Sequence, residues 1–195
     1  MFSRLTQYWV YGGFLAGIVI LVLLPQLSQT WSTALVAVFL QLPMYMLHQY
    51  EEHDNDRFRQ FFNRTVGRGK EVLSPEAVFV INVPGVWGTI AVSFYLAAYV
   101  SIGYGLIAAY LTLVNGVVHV VTGMASRSYN PGLATAVAMF LPAGGLAIVE
   151  LQATGEVGWH YHLLGLLTAI GIHAAIIGYV KSVQRSGAGG SPSQL

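Results

Sequence analysis

Six stretches of the chain each hold roughly 20 nearly all-apolar residues, the length a helix needs to cross the hydrocarbon core of a bilayer. They fall at about 8–27, 31–53, 75–100, 103–126, 131–152 and 160–185. In lipid the backbone must satisfy its own hydrogen bonds, and a helix does so within a single segment. Only 9% of the 195 residues are charged, against about one quarter in an ordinary soluble domain. The reading is therefore an all-α polytopic membrane protein. One six-helix transmembrane domain covers residues 1–185, followed by a disordered tail at 186–195, "SGAGGSPSQL". The absence of cysteine excludes disulfides and thiolate metal ligands. The first apolar run lacks the small-residue cleavage site of a signal peptide, so it is expected to remain as a span.

Local signals punctuate these runs. "SPEAVF" offers Ser74 as N-cap, Pro75 at the first helical position and Glu76 in the first turn of the third span. "YNPG" offers Asn130 as cap and Pro131 as the first helical residue of the fifth. Pro43, Pro84 and Pro142 lie inside spans and are expected to kink or locally unwind them. Gly165, Gly171 and Gly178, with Ala169 and Ala174, permit close helix contacts along the sixth.

Six spans place Arg4, Arg57, Arg59, Arg64, Arg68, Lys70, Arg127, Lys181 and Arg185 on one side, which is every basic residue in the chain. The positive-inside rule makes that side cytoplasmic. The expected location is a bacterial inner membrane with both termini in the cytoplasm. Between the second and third spans, Phe58, Phe61, Phe62 and Val66 recur near i, i+3, i+4 and i+8 among Arg59, Arg64 and Arg68. This pattern predicts a basic amphipathic helix within about 54–70, lying on the cytoplasmic interface.

Three histidines then fall at one depth. His48 precedes Arg57 by nine residues, while His119 and His173 precede Arg127 and Lys181 by eight each. At 1.5 Å per residue, each lies about 12 Å inside its basic flank. Gln41, Tyr45, His48 and Glu52 form one polar stripe, and Thr112, Asn115, His119, Thr122 and Ser126 another. Such stripes must face protein or water. Asn82 and Asn130 lie near the same cytoplasmic surface.

Three neutral imidazoles and a carboxylate make a ligand set for Zn²⁺, or for iron with more oxygen ligands. The expected metal ligands are His48, Glu52, His119 and His173. Glu51 and Glu52 are the candidate general bases, one ligating while the other activates water or orients a histidine. Asn115, one turn from His119, is placed to hydrogen-bond a polarised carbonyl or a water, and Tyr45, Asn82 and Asn130 are candidate substrate contacts. The simpler alternative is polar glue between helices. His53 reads as a solvated residue just past a helix end, and His160 and His162 as residues of the outer interface, like Trp159 and Tyr161.

His48-Gln49-Tyr50-Glu51-Glu52 resembles the signature of the HXXEE family of small bacterial membrane proteins. "NGVVH" (Asn115 to His119) and "YNPGLATA" (Tyr129 to Ala136) resemble its later motifs, in order and at plausible spacing. The resemblance implies motif status for His48, Glu51, Glu52, Asn115, His119 and Asn130, without assigning any a chemical role.

Three classes of function follow from these residues. The first is a metal-dependent membrane enzyme, with zinc favoured and hydrolysis as the reaction, acting on an apolar or lipidic substrate from the cytoplasmic leaflet. An iron-dependent oxidase or hydroxylase is its redox variant. A metal or ion transporter is the second, disfavoured by the apolar outer halves of the helices and the lack of an evident inverted repeat. The third is a non-catalytic lipid-binding protein. The expected partner is a membrane lipid or other hydrophobic small molecule, not a nucleic acid.

Overall fold

A computed structural model describes residues 2–188, and among them the only regular structure is helical. The helices are α1 (Phe2–Leu27), α2 (Thr33–His53), α3 (Arg57–Thr65), α4 (Pro75–Tyr99), α5 (Ile102–Ser126), α6 (Leu133–Ala153) and α7 (Trp159–Ala188). α7 runs past Ser186, where the tail was expected to begin, and positions 189–195 lie outside the described residues.

Five helices, α1 and α4 to α7, are long and apolar enough to cross a membrane. α2 does not join them on composition, because Gln41, Tyr45, His48, Gln49, Glu51, Glu52 and His53 dilute its apolar content. Its position explains why that is tolerated. α2 packs against α1, α4, α5 and α6, so it is surrounded by protein. Ala37, Val38 and Tyr45 of α2 meet Ile90, Leu106, Leu111, Phe140, Ala147 and Leu151 in the main core. The least hydrophobic long helix is the central one.

The helix ends follow their local chemistry. Ser32, which the sequence reading passed over, caps α2 by accepting from the Leu35 N–H at 3.2 Å. Ser74 caps α4 through the Ala77 N–H at 3.2 Å, with Pro75 at the first position as expected. Between α4 and α5 the chain reverses in a few residues, and Ser93 Oγ accepts from the Ala108 N–H at 3.1 Å while donating to the Tyr104 carbonyl at 2.8 Å. Pro84 lies within a π-helical stretch, Ile81–Trp87, and Pro142 stands two residues past the end of another, Ala136–Phe140. Both are local unwindings of the kind a missing N–H produces. Pro43 does not interrupt α2.

The connector between α2 and α4 is shorter in helix than the 54–70 expected. A 3₁₀ turn at Asp54–Asp56 leads into α3, which ends at Thr65. Phe58 and Phe62 of α3 turn inward, onto a second core cluster of Trp9, Val10, Val72, Leu73, Val78 and Val180. That cluster ties the start of α1, the start of α4 and the end of α7 together at one end of the bundle.

The glycines of α7 differ in what they face. A Cβ on Gly165 would sit 2.6 Å from the Leu106 carbonyl oxygen of α5, whereas Gly171 and Gly178 have open space. Gly165→Ala is expected to destabilise the detergent-solubilised protein by roughly 1–3 kcal/mol. Gly171→Ala should leave the thermal midpoint unchanged or slightly raised, through better helix propensity. Thermal unfolding of the two variants side by side checks this.

Candidate metal centre

The last two turns of α2 set two groups in register. His48 and Glu52, four residues apart, share a face. His119 approaches that face from α5, its ring 4.9 Å from the His48 ring at 77°. One ligand atom from each of His48, Glu52 and His119 lies within 4.8 Å of the others, and all three side chains are buried. His48 Nε2 is 3.6 Å from Glu52 Oε2, and His119 Nε2 is 3.5 Å from Glu52 Oε1. These are one-carboxylate, two-imidazole surroundings that could hold a metal ion.

Hydrogen bonds on the far side of each ring fix which nitrogen faces inward. Glu51 accepts from the Tyr129 hydroxyl (2.6 Å), the Ala134 N–H (3.1 Å), the Thr135 N–H (2.7 Å) and the Thr135 hydroxyl. The Thr135 hydroxyl proton is thus committed to Glu51, so His48 Nδ1, 2.8 Å from Thr135 Oγ1, must be the donor to it. The remaining His48 nitrogen, Nε2, is buried and makes no hydrogen bond. His119 follows the same logic. Asn130 Nδ2 donates to the His119 carbonyl at 3.0 Å, which leaves Oδ1 to accept from His119 Nδ1 at 2.7 Å. Both imidazoles therefore present Nε2 to Glu52. Tyr129 is kept protonated as a donor, since its partial burial and the Glu51 carboxylate both raise its pKa.

Glu51 is thereby taken up by structure: its carboxylate caps the first turn of α6, neutralising N–H groups that have no partner within the helix. The structure leaves it away from the ligand group and gives it no free oxygen for a base. Asn130 was expected to cap this helix with Pro131 at its first position. Instead α6 begins at Leu133 after the turn at Pro131–Gly132, and the Asn130 side chain serves His119. A carboxylate on a neighbouring helix outcompeted the local cap.

The other expected site residues are dispersed. His173 does not join the group; its Nδ1 bonds the Ala169 carbonyl of its own helix at 2.8 Å. Equal depth did not bring equal direction. Asn115 donates to the Tyr45 hydroxyl at 3.2 Å, and that hydroxyl donates to the Leu111 carbonyl at 3.1 Å. Tyr45 and Asn115 thus join α2 to α5, with the Tyr45 ring edge-on to His48. Asn82 sits on another face of α2, accepting from Gln49 Nε2 at 2.8 Å, while Trp87 Nε1 donates to Gln49 Oε1.

One residue was misread in the sequence and another went unnoticed. His53 is buried rather than solvated, packed between Trp9 and Phe58, with Nε2 3.1 Å from Glu52 Oε2. Gly132, at φ 95°, lies against the Cε1 edges of the two imidazoles. A Cβ there would lie 2.8 Å from Cε1 of both His48 and His119. The "NPG" string was the available signal, and it was read only as a helix start. Gly132→Ala is expected to displace both rings and to cost roughly 1–3 kcal/mol of stability, from steric overlap and the left-handed φ together. Thermal unfolding, with the histidine ring resonances of labelled protein followed by NMR, measures both effects.

Comparison with known proteins gives the chain a family but no activity. No curated protein and no solved structure matches the chain. A family model described as a protein of unknown function with HXXEE motif matches residues 39–147. That segment is more than half of the chain and contains His48, Glu51, Glu52, His119, Asn130, Gly132 and Thr135, whereas His173 lies beyond it. The chain belongs to the HXXEE family.

Proposed function

We propose that this chain is a metal-dependent integral membrane enzyme, in which His48, His119 and Glu52 hold a divalent ion and hydrolysis of an apolar or lipidic substrate is the reaction. One observation carries the reading: His48 Nε2 is buried, lacks a hydrogen-bond partner and faces Glu52 and His119. A buried polar atom left unpaired costs about 1–3 kcal/mol. A cation at the centre of the group would offset that cost and the crowding of three lone-pair donors.

An ion with two imidazole ligands and one carboxylate keeps positions for water or a substrate oxygen, and would act as a Lewis acid on a carbonyl or phosphoryl group. The protein's part is to hold both rings by Nδ1 and to exclude bulk water. His53 links the group to the surface. It lines a cavity of about 450 Å³ shared with Tyr11, Asp56, Arg59 and Glu76, and its Nε2 lies 3.1 Å from Glu52 Oε2. Zinc is the favoured ion. The reduced set of two histidines and one carboxylate equally suits non-haem iron(II), and that ligand composition favours oxidation as the second reading.

Membrane placement in this proposal uses six spans. α2 crosses inside a ring of apolar helices, its polar residues turned to protein. The basic residues set the end bearing both termini toward the bacterial cytoplasm, and α3 lies along that interface. The metal group then sits about 12 Å inside the cytoplasmic surface, within reach of a lipid in that leaflet.

Elemental analysis of detergent-purified protein tests the centre and names the metal. Wild type is expected to carry about one ion per chain, zinc for hydrolysis or iron for oxidation. His48→Ala, Glu52→Ala and His119→Ala should each abolish it, while His173→Ala should retain it. Glu51→Gln should weaken metal affinity by roughly 10–100-fold without removing a ligand. A metal-free wild type after growth in zinc- and iron-replete medium would sink the proposal.

A further inference from the structure

A second cavity, remote from the histidine group, lies where the chain leaves α3 and meets the end of α7. It is about 390 Å³, with Phe62, Ile177 and Val180 as its floor and Arg68, Lys70 and Lys181 around it. No acidic residue lines it. Three acidic side chains of this end are engaged elsewhere: Asp54 pairs with Arg57, and Asp56 and Glu71 pair with Arg59. Among the described residues, Arg68, Lys70 and Lys181 form no ion pair with a carboxylate.

The loop that carries two of these cations is held in a defined shape. Gln184 of α7 donates to the Val66 carbonyl at 2.8 Å, and the Gly69 N–H bonds the Asn63 carbonyl at 3.0 Å. Arg68 stands in the left-handed region at φ 54°, a conformation that costs a non-glycine residue of order 1 kcal/mol. Gly67 is buried against Asn63 and Lys70, with no room for a side chain. Backbone held this way recurs at ligand clamps. Beyond the floor, Ile170 and Leu166, seven and eleven residues before Ile177, continue the same exposed apolar face along α7.

We infer that this cavity binds an anionic phospholipid of the cytoplasmic leaflet, its phosphate among Arg68, Lys70 and Lys181 and its acyl chains along α7. Three unpaired cations over an apolar floor match one phosphate joined to hydrocarbon, and basic pockets beside membrane helices on the cytoplasmic side are suited to such headgroups. The inference uses the membrane placement proposed above and is independent of the metal.

Native mass spectrometry of the full chain in neutral detergent tests it, with phosphatidylglycerol, phosphatidylcholine, glycerol phosphate and inorganic phosphate as probes. One phosphatidylglycerol per chain should be retained at least roughly tenfold more tightly than phosphatidylcholine, and neither soluble phosphate should compete. Arg68→Asn/Lys181→Gln should lose that preference by about tenfold, asparagine being tolerant of the left-handed backbone. Arg4→Gln/Arg127→Gln, with the same loss of charge, should keep it. Retained helicity and elution volume exclude misfolding. Equal losses in both double variants would reduce the effect to net charge and overturn the site. Competition by glycerol phosphate would make it a free-anion site, and also overturns the lipid assignment.

Discussion

Seven polar side chains on the central helix must be satisfied without bulk water, and that obligation fixes how the bundle is assembled. Each partner comes from a particular neighbour of α2. Gln41 reaches the Ala143 carbonyl of α6, Tyr45 the Leu111 carbonyl of α5, and Gln49 the Asn82 and Trp87 side chains of α4. His48 and Glu51 meet Thr135 at the start of α6. These bonds point in different directions around one helix, so together they set its rotation and the order of its neighbours. Apolar packing alone, with lipid as hydrophobic as the core, would discriminate poorly among rotations. After these pairings, three buried side-chain atoms of α2 are still without a hydrogen bond: Gln41 Oε1 and the Nε2 atoms of His48 and His53. The two nitrogens lie beside the Glu52 carboxylate, and in the proposed function they are what sets the centre apart from ordinary interhelical glue.

Successive residues on a helix point about 100° apart, which explains how adjacent glutamates can differ so much. Glu52 shares the His48 face and looks toward α5, where His119 waits. Glu51 is turned toward α6 and is consumed by four donors there. Its effect on the centre runs through Thr135 to His48 Nδ1, the kind of outer contact that fixes tautomer and ring orientation in metal sites. Asn130 does the same for His119. In the proposed enzyme the two motif glutamates are therefore a ligand and an orienter, not a ligand and a base.

Most of the fold was legible because it depends on local composition. Apolar length located the long helices, and Ser74-Pro75 marked the start of α4 to the residue. The meeting of His48 with His119 followed from helical rise and from chain direction. What failed was whatever depends on azimuth. Rise gives depth but not the direction a side chain faces, and so His173 was placed in a group it does not join. The same limit scattered Asn82 to the α4 side of α2. Asn130 was misread because a local cap competes with any carboxylate the tertiary structure delivers, and sequence near the helix start contains no trace of Glu51. His53 looked solvated because its cover, Trp9, is more than forty positions away.

The position of the motif at the very end of α2 has a physical reason as well. In the middle of a helix every backbone N–H is already bonded, so a buried carboxylate there must rely on side chains alone. Only the first turn of a helix has free N–H groups to give. The last turn of α2 meets the first turn of α6, and Glu51 takes the N–H groups of Ala134 and Thr135 in that turn. The same place supplies irregular chain before the helix, where Gly132 lies so close to the edges of two imidazoles that a Cβ would overlap both. Beyond it, the π-helical stretch Ala136–Phe140 ends in a buried phenyl ring 4.1 Å from the His48 ring. Deeper in the bundle those free donors would not exist. A site built of histidine and glutamate in this fold is thus confined to a level where one helix ends as another begins.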